Sequence, residues 1–438
     1  QGIDFAADHN FSLIIALDCG IKALDKVKYA AQKNIDFIIC DHHKPGDKIP
    51  KAVAVLNPKR KDCSYPFDEL CGCGVGFKLI QALASKRGQT LEDLTTYLDL
   101  VATAIAADIV PVTGENRILT YFGLQVINSN PRNGIKAIIQ GVKKNILTIT
   151  DVVFIIAPRI NAAGRMKHGN YAVELLTEMD YETAIRFAAS IEKFNIERKE
   201  IDKKITYEAL QQIEAADEKE KFSTVVYSED WHKGVIGIVA SRLIESYYRP
   251  TLVFTKSGEK LAASARSVKG FDVYEALEQC SEHLEQFGGH KYAAGLTLSP
   301  DQYIPFKEKF EAVVKKTIDK ELLIPEIAID SPLELSDITP KFFRILKQMG
   351  PFGPKNMKPV FTTNAVRDNG YGKRVGVDKS HLKLNIINGA DQKTYNAIGF
   401  GLGDKITSTQ NDFDIAYNLD ENEWNGNTSI QLLIKDIK

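Results

Sequence analysis

Short apolar runs separated by longer amphipathic stretches make up the first part of the chain. Leu13–Leu17 and Asp36–Cys40 are two such runs, and residues 52–56 form a third. Short, nearly continuous apolar runs are typical of strands buried in a parallel sheet. Helical spacing follows in three segments, residues 21–33, 76–86 and 91–107. The alternation predicts an α/β domain built on a parallel sheet.

A mainly helical region comes next, from about residue 118 to residue 216. Its stretch 181–213 is charged and almost free of Gly and Pro. Charges at this density are typical of a solvated helix face with i,i+4 pairs. We therefore predict a rigid helical connector.

Two further patterns fill the rest of the chain. A strand at 223–227, a helix at 235–247 and a strand at 251–255 begin a second α/β unit. After residue 325, five short strand-like segments are separated by Gly and Asn clusters. These segments are 360–366, 382–387, 395–400, 413–417 and 430–434. Their spacing predicts a small β-barrel, for which the OB-fold is the natural candidate.

Composition narrows the class of protein. The 438 residues include 56 Lys and Arg against 57 Asp and Glu, a net charge of −1. Such a balance excludes a protein that holds nucleic acid through excess positive charge alone. Six cysteines are too few for a disulfide scaffold, and Cys71 and Cys73 have no second pair at zinc-finger spacing. The apolar run 11–17 ends at Asp18, too short for a membrane span, so we expect a cytoplasmic protein without membrane contact.

Metal-ligand residues follow the first two predicted strands. Asp18 follows the first, and Asp41, His42 and His43 follow the second. The carboxyl ends of neighbouring parallel strands meet at one edge of the sheet, where ligands bind. Asp with His suits manganese, iron or zinc better than calcium. Asp108, after an apolar helix, adds a third acidic position; the alternative is a helix-capping Asp beside structural histidines.

These residues carry a family resemblance. Asp18, the Asp-His-His triplet and Asp108 resemble the metal motifs of the DHH phosphoesterase superfamily. Downstream motifs resemble the RecJ family of single-strand-specific 5′→3′ DNA exonucleases. They lie at residues 157–165, 231–237, 264–267, 288–290 and 351–353. The resemblance covers essentially the whole chain and implies an exonuclease of DNA repair and recombination.

The resemblance implies a two-cation site for Mn²⁺ or Mg²⁺. Asp18 would bridge the two ions, and His42 and Asp108 would bind one of them. Asp41 would orient a histidine, and His43 would face the scissile phosphate.

One departure concerns the start of the chain. The family has an Asp-rich motif on a strand upstream of Asp18, and residues 1–17 contain no such motif. We therefore expect an N-terminally shortened DHH domain that lacks its first strand. Weak metal binding and little nuclease activity are the corresponding expectations for this chain.

The resemblance also assigns DNA contacts in the second α/β unit. Ser264 and Arg266 would contact a 5′-phosphate or the backbone, because Arg suits bidentate phosphate recognition. The bare backbone of Gly288 and Gly289 would approach phosphate closely, with His290 beside it.

Three other predicted DNA contacts are less specific. Arg159 and Arg165 would line a narrow entry between the two α/β domains, whereas the alternative for a single Arg is a solvated surface. Trp231 is either a base-stacking platform or a core aromatic. In the tail, a basic and aromatic stretch suits single strands, although a charged hairpin loop would look similar. Its predicted DNA-binding residues are Arg367, Tyr371, Lys373 and Arg374.

Four domains are predicted. They are a DHH domain at 1–125, the connector at 126–216, a DHH-associated domain at 217–322 and the OB-like barrel at 323–438. The predicted partners of this monomer are single-stranded DNA, a single-strand-binding protein and a helicase. Two alternatives stay open: a non-catalytic module that binds single-stranded DNA or a replication partner, and a phosphodiesterase for short oligonucleotides or cyclic dinucleotides.

Overall fold

The structure is a computed structural model that describes residues 1–388, 391–409, 411–424 and 427–438. The chain divides into two compact units. One unit combines Gln1–Ala157 with Ile327–Lys438, and the other is Pro158–Glu326.

Three parallel strands form the sheet at the start of the first unit. They lie in the order β1 (Leu13–Leu17), β2 (Asp36–Cys40) and β3 (Ala54–Leu56). Strands β1 and β2 have the predicted bounds because each is an apolar run that a charged residue follows. The register pairs Leu17 with Cys40, so these two strands end side by side.

Within the described residues 1–157, seven α-helices accompany this sheet. They are α1 (Gly2–Asp8), α2 (Leu24–Gln32), α3 (Gly72–Lys86), α4 (Leu98–Asp108), α5 (Gly114–Ser129), α6 (Asn133–Ile139) and α7 (Ile149–Asp151), with a 3₁₀ helix at Glu92–Tyr97 and a π-helical turn at Val152–Ile156. Helix α2 begins later than predicted because the main-chain N–H of Ile21 donates to Asp41 Oδ2 at 2.9 Å. Helix α3 begins earlier because the Sγ of Cys71 caps it, accepting the N–H of Gly74 at 3.3 Å.

The second unit is an α/β unit built on a mixed five-stranded sheet. Its elements are α8 (Ala157–Met166), α9 (Asn170–Thr177), α10 (Tyr181–Ala215), β4 (Thr224–Tyr227), α11 (Ile236–Ser246), β5 (Thr251–Ser257), β6 (Lys260–Arg266), α12 (Val273–Glu278), β7 (Gln286–His290), β8 (Ala293–Leu298) and α13 (Tyr303–Thr317). The strand order is β4-β5-β6-β8-β7, with β4 and β5 parallel and the others antiparallel. The predicted long helix is present as α10, and its apolar side packs on the sheet domain through Ile205, Ala209 and Ile213.

The tail forms the predicted barrel. Its elements are β9 (Ser331–Pro332), α14 (Pro340–Gln348), β10 (Phe361–Asp368), β11 (Lys373–Val375), β12 (His381–Asn388), β13 (Asp391–Gly399), β14 (Phe413–Trp424) and β15 (Asn427–Ile437). The strands pair in the order β12-β13-β15-β14-β10, and β10 pairs back to β12, which closes a five-stranded barrel. Alternate residues Leu382, Leu384 and Ile386 point into its core beside the buried Tyr417. This architecture confirms the predicted α/β class with an OB-like barrel.

Candidate functional site

The side chains that follow β1 and β2 meet at one edge of the parallel sheet. Asp18 follows β1 directly, with φ of 63°, and its N–H donates to Cys40 O at 2.8 Å. The triplet Asp41, His42 and His43 follows β2. Ligand atoms of Asp18, His42 and His43 lie within 4.8 Å of one another. The parallel pairing therefore brings residues from two distant segments into one cluster.

His42 is at the centre of this cluster. Its Nε2 lies 3.1 Å from Asp18 Oδ1 and 3.4 Å from Oδ2 of Asp108, the last residue of α4. The His42 ring is buried, and within the part of the chain that the structure describes neither ring nitrogen makes a hydrogen bond of good geometry. Two carboxylate oxygens around an imidazole nitrogen fit a divalent cation of the manganese or magnesium type.

The pKa values of His42 and Asp108 are both raised in this cluster, and the negative charge of Asp18 contributes to both shifts. The nearby Asp18 carboxylate raises the pKa of His42, although burial of the ring acts in the opposite direction. Burial raises the pKa of the Asp108 carboxyl, and the charge of Asp18 adds to this effect. A proton on His42 is thus favoured by the same carboxylates that would attract a cation, so the two compete for Nε2.

Asp41 holds the triplet in place. Its carboxylate is 1% exposed and accepts the N–H groups of Ile21, His42 and His43 at 2.9, 2.8 and 3.1 Å. Its Oδ1 also lies 2.7 Å from His43 Nδ1, which directs the other ring nitrogen away from Asp41. Burial alone would raise the pKa of Asp41, but these hydrogen bonds outweigh it and hold the pKa below its usual range. Asp41 is therefore an ionised anchor for the His43 ring.

Gly72 also belongs to the cluster, and sequence reasoning missed it. A Cβ atom at this first residue of α3 would lie 2.1 Å from Asp18 Oδ1. The Asp18 carboxylate therefore rests against the start of a helix, where the helix dipole favours negative charge. The signal in the sequence is the spacing of Gly72, Gly74 and Gly76, which form the start of α3.

Cysteines near this helix start are protonated thiols. Burial raises the pKa of Cys71 to about 12 and that of Cys73 to about 11. The six cysteines of the chain all lie within the described residues, and all are unpaired.

Four of the five predicted phosphate-binding residues in β6 and β7 lie on one face of the sheet. Across β6, β8 and β7, Ser264 is in register with Gly295 and Gly288, and Arg266 with Ala293 and His290. Residues paired directly across strands point to the same face. Gly289, between these rows, has φ of 150°, and a Cβ there would lie 2.4 Å from Ala293 O.

Helix α11 begins over the same face. A Cβ at Gly237 would lie 2.9 Å from Ser264 Oγ and 3.1 Å from Arg266 Nη2. Arg266 Nη1 donates to Ser264 Oγ at 3.1 Å and to Ala265 O at 2.8 Å. The first turn of a helix, a hydroxyl and a guanidinium together form an anion-binding arrangement.

Arg165 lies close to Arg266, and Arg198 lies close to Arg165. Burial lowers the pKa of Arg266, and the positive charge of Arg165 lowers it further. Burial also lowers the pKa of Arg198, an effect that the charges of Arg165 and Arg242 increase although Asp202 opposes it. The Nε of Arg198 is buried without a hydrogen-bond partner in the part of the chain that the structure describes. Sequence reasoning missed Arg198, because it lies within the charged stretch that is typical of a solvated helix face.

The remaining predicted residues of this unit have other partners. Arg165 Nη1 donates to Gly234 O at 3.1 Å. Arg159 forms an ion pair with Glu192 at 2.5 Å. Trp231 is 4% exposed and its Nε1 donates to Glu208 Oε2 at 2.8 Å. Of the two alternatives for Trp231, the structure therefore shows the core aromatic: its buried faces are closed to a stacking base.

In the barrel, the predicted basic stretch is partly neutralised. Arg367 pairs with Asp412, and Arg374 Nη2 lies 3.2 Å from Asp404 Oδ1. Lys373 is exposed and in register with the exposed Lys383 of β12. Among the ion pairs of the described residues, neither of these lysines has a carboxylate partner.

Two aromatic rings lie exposed in the same region of the barrel. Tyr371 is exposed, and Phe400 is 63% exposed with its ring edge-on to His381 at 5.1 Å between centroids. Sequence reasoning did not identify Lys383 or Phe400.

Three regions of the chain match domains of known protein families. Family models match residues 3–105 (DHH family, N-terminal domain), 220–316 (DHHA1 domain) and 329–436 (RecJ OB domain). An Asp–His cluster at the strand ends of the first domain, followed by these two domains, defines a DHH-type phosphoesterase architecture. Within this class, the chain belongs to the RecJ family.

Similar chains support this assignment. The single-stranded-DNA-specific exonuclease RecJ of Escherichia coli (strain K12) is 32% identical over 459 residues, which cover 99% of this chain and 78% of that protein. The protein of the same name from Bacillus subtilis (strain 168) is 36% identical over 436 residues, or 98% of this chain. The crystal structure of RecJ in complex with Mn²⁺ from Thermus thermophilus aligns over the whole chain with a TM-score of 0.85 and 27% identity.

The chain is shorter than these relatives. It spans 54% of the length of the Bacillus protein and 63% of the Thermus chain. Among the helices of the described residues, none is both long and apolar enough to cross a membrane.

Proposed function

We propose that this chain takes part in the divalent-metal-dependent hydrolysis of single-stranded DNA from the 5′ end. The observation that carries the proposal is the convergence of Asp18, His42 and Asp108 at the strand ends of the DHH domain. Membership of the RecJ family supplies the substrate class, because its relatives are named for single-stranded DNA. Repair and recombination of DNA are the processes in which such an activity is used.

The metal centre would be held by Asp18, His42 and Asp108. Asp18 would bridge two divalent cations, and His42 and Asp108 would bind one of them. When bound, two such cations activate an attacking water and stabilise the departing oxygen. Mn²⁺ and Mg²⁺ are the proposed ions, since they are bound in the Thermus RecJ crystal structures.

The protein's own groups would align the phosphodiester at this centre. Asp41 fixes the His43 ring at 2.7 Å, so the opposite ring nitrogen would face the scissile phosphate as a hydrogen-bond donor or proton carrier. Gly72 leaves room for Asp18 and places it at the start of α3. Both devices fix side-chain directions before substrate binds, which lowers the cost of alignment.

The sheet face of the second unit would bind the DNA backbone. Ser264, Arg266 and the backbone of Gly288 and Gly289 would receive a phosphate, with His290 in the adjacent row. Arg165 and Arg198 would add positive charge along the strand, and Arg159 would add less because it is paired with Glu192. Arg is the side chain best suited to bidentate phosphate contacts.

The barrel would hold a more distant part of the strand. Lys373 and Lys383 offer two uncompensated charges, while Tyr371 and Phe400 offer exposed rings. Alternating cations and aromatic rings suit single strands, because every base can stack on a ring. Arg367 and Arg374 would contribute less than predicted from the sequence, since each is paired with an Asp.

The proposed setting is the cytoplasm, as a monomer. The six unpaired cysteines suit a reducing compartment. A single-strand-binding protein and a helicase are the proposed partners, because both produce or hold the single strands that this activity consumes.

A paired assay tests the proposed function. Release of nucleotides from a 5′-labelled single strand is measured with Mn²⁺ for the wild type and for His42→Ala. Strand binding is measured in parallel by fluorescence anisotropy. We expect loss of hydrolysis with retained binding in the variant; equal hydrolysis by the two proteins would refute the metal-ligand assignment. Residues 1–17 contain no Asp-rich motif, so we expect a low wild-type rate, and each rate is compared with that of a metal-free control. Strand binding with hydrolysis no faster than in that control would refute the enzyme assignment for this chain.

A further inference from the structure

Asp108 stands at the start of a strained turn. The next residue, Ile109, ends α4 in the left-handed region, with φ of 57° and ψ of 32°. This conformation is unfavourable for a β-branched residue and persists only where the surroundings enforce it. The Ile109 side chain is 68% exposed, so its own burial does little to compensate. Neighbouring groups must therefore hold the turn.

The loop that follows Ile109 is held from two sides. On one side, the buried Asn116 donates through Nδ2 to Pro111 O at 2.9 Å and to Glu69 O at 2.6 Å. On the other side, the N–H of the fully buried Val112 donates to Pro354 O at 2.8 Å. The second contact comes from the segment between α14 and the barrel, which contains the Pro-Phe-Gly motif that the proposed function leaves without a role.

This segment, residues 350–356, is itself tightly fixed. Arg117 Nη2 lies 3.3, 3.0 and 3.2 Å from the carbonyl oxygens of Gln348, Met349 and Gly350. Asn356 Nδ2 donates to Met349 O at 3.1 Å and to Pro351 O at 2.9 Å. The Arg117 guanidinium thus holds the start of the segment against the DHH domain, and the Asn356 amide fixes the fold of the segment itself.

Gly353 allows the close approach between the segment and the loop. A Cβ at Gly353 would lie 2.4 Å from Cγ2 of Val112, which is fully buried. We propose that residues 350–356 act as a positioning clamp for Asp108, with Gly353 as the positioning residue. The clamp fixes the Val112 end of the loop, which keeps Ile109 in its left-handed turn and Oδ2 of Asp108 near His42.

This inference deepens the proposed function, because it assigns to the Pro-Phe-Gly motif a part in the same metal centre. The clamp acts through Asp108, as supporting residues act on a metal ligand.

The test is Gly353→Ala in the full chain, measured by Mn²⁺ titration and by hydrogen exchange at the Val112 amide. Supporting residues of metal ligands typically change affinity by about 10–100-fold, so we expect Mn²⁺ binding at least about tenfold weaker. Exchange at Val112 should accelerate, because its N–H would lose Pro354 O. Arg117→Ala removes the three contacts of the Arg117 guanidinium with residues 348–350, so it should also weaken Mn²⁺ binding and accelerate exchange at Val112. Because Arg117 is exposed, this variant keeps the test valid if Gly353→Ala does not fold.

Two further variants separate positioning from general destabilisation. Val112→Ala removes the methyl group that the new Cβ would strike, so Val112→Ala/Gly353→Ala should bind Mn²⁺ more tightly than Gly353→Ala alone. Leu384→Ala, in the barrel core, should lower the melting temperature and leave the Mn²⁺ affinity unchanged. Unchanged Mn²⁺ affinity in both Gly353→Ala and Arg117→Ala would overturn the clamp, whether or not exchange at Val112 accelerates. A wild-type chain that binds no Mn²⁺ would instead overturn the metal centre, and exchange at Val112 would still decide the clamp.

Discussion

His42 Nε2 lies 3.1 Å from Asp18 Oδ1, although the two residues belong to different strand ends and are separated by a helix. The ring is buried, and in the described part of the chain its nitrogens make no hydrogen bond of good geometry. A buried polar group without a partner is costly in a structural residue but expected in a ligand. The arrangement therefore favours cation binding over a structural role for His42.

Replacing His42 should separate metal binding from folding. His42→Ala is expected to weaken Mn²⁺ binding by at least about tenfold, because it removes the central ligand. The melting temperature without metal should fall because a buried ring is truncated, but the protein should still unfold cooperatively. Isothermal titration and thermal unfolding measure the two effects. His9→Ala, at the exposed C-terminal cap of α1, is the matched control, and equal Mn²⁺ affinity in His42→Ala would contradict the assignment.

Asp41→Asn should change the acid stability of the domain. The variant keeps the size of the side chain but loses charge-assisted hydrogen bonds, each worth about 1.5–3 kcal/mol. The free energy of unfolding at neutral pH should fall by at least the value of one such bond, about 1.5–3 kcal/mol.

The pH dependence of this effect has a defined sign. The folded-state pKa of Asp41 is lowered, so its stabilisation is complete above the unfolded pKa of about 3.9 and is lost as the pH falls through the folded value. Between about pH 6 and pH 3 the wild type should therefore lose more stability than Asp41→Asn. Urea unfolding at several pH values measures this difference, and parallel pH curves for the two proteins would show that Asp41 is not the anchor.

The sequence predicts the positions of the metal ligands but not the fit around them. Strands β1 and β2 can be located because apolar runs ending in charged residues have a direct physical meaning. The close approach of Gly72 to Asp18 depends on the exit angle of the chain from β1, which no periodicity encodes. Trp231 could not be resolved, because a tryptophan before a helix is compatible with either burial or exposure.

Two functional candidates could not be found from the sequence because their importance depends on strand pairing or on packing. Lys383 becomes visible only when β11 and β12 are paired, because its importance lies in facing Lys373. Arg198 is one charge among many in α10, and only packing distinguishes its buried Nε from solvated neighbours.

Gly72→Ala should displace the Asp18 carboxylate without replacing any of the proposed ligand residues. The new Cβ would lie 2.1 Å from Asp18 Oδ1, so the carboxylate must move. We expect Mn²⁺ affinity to fall by about tenfold, as for other changes next to a ligand. Gly2→Ala, a helical glycine with open space around it, is the control that should leave affinity unchanged. Wild-type affinity in Gly72→Ala would mean that Asp18 has freedom that the structure does not show.

Arg198→Gln should weaken binding of single-stranded DNA. Burial lowers the pKa of its guanidinium, and the nearby charges of Arg165 and Arg242 lower it further although Asp202 opposes them. Three arginines against one Asp leave the cluster with positive charge for a phosphate. Loss of one phosphate contact should reduce the slope of log affinity against log salt by about 0.7 for a single strand. Arg186→Gln, on the exposed part of the same helix, should leave the slope unchanged. Anisotropy titrations at several salt concentrations measure the slope, and an unchanged slope in Arg198→Gln would place the DNA elsewhere on the protein.

Phe400→Ala should weaken strand binding by removing a stacking surface rather than a charge. Stacking of one base is worth about 1–3 kcal/mol, so affinity should fall at least about fivefold with the salt slope intact. Lys383→Gln should also weaken binding, but through one lost phosphate contact, so it should reduce the slope of log affinity against log salt by about 0.7. Val377→Ala, at a highly exposed apolar side chain of the same region, is the control for surface changes without an aromatic ring. Anisotropy with a labelled oligonucleotide separates the two effects: a changed salt slope in Phe400→Ala, or no change in either variant, would exclude this face of the barrel as the binding surface.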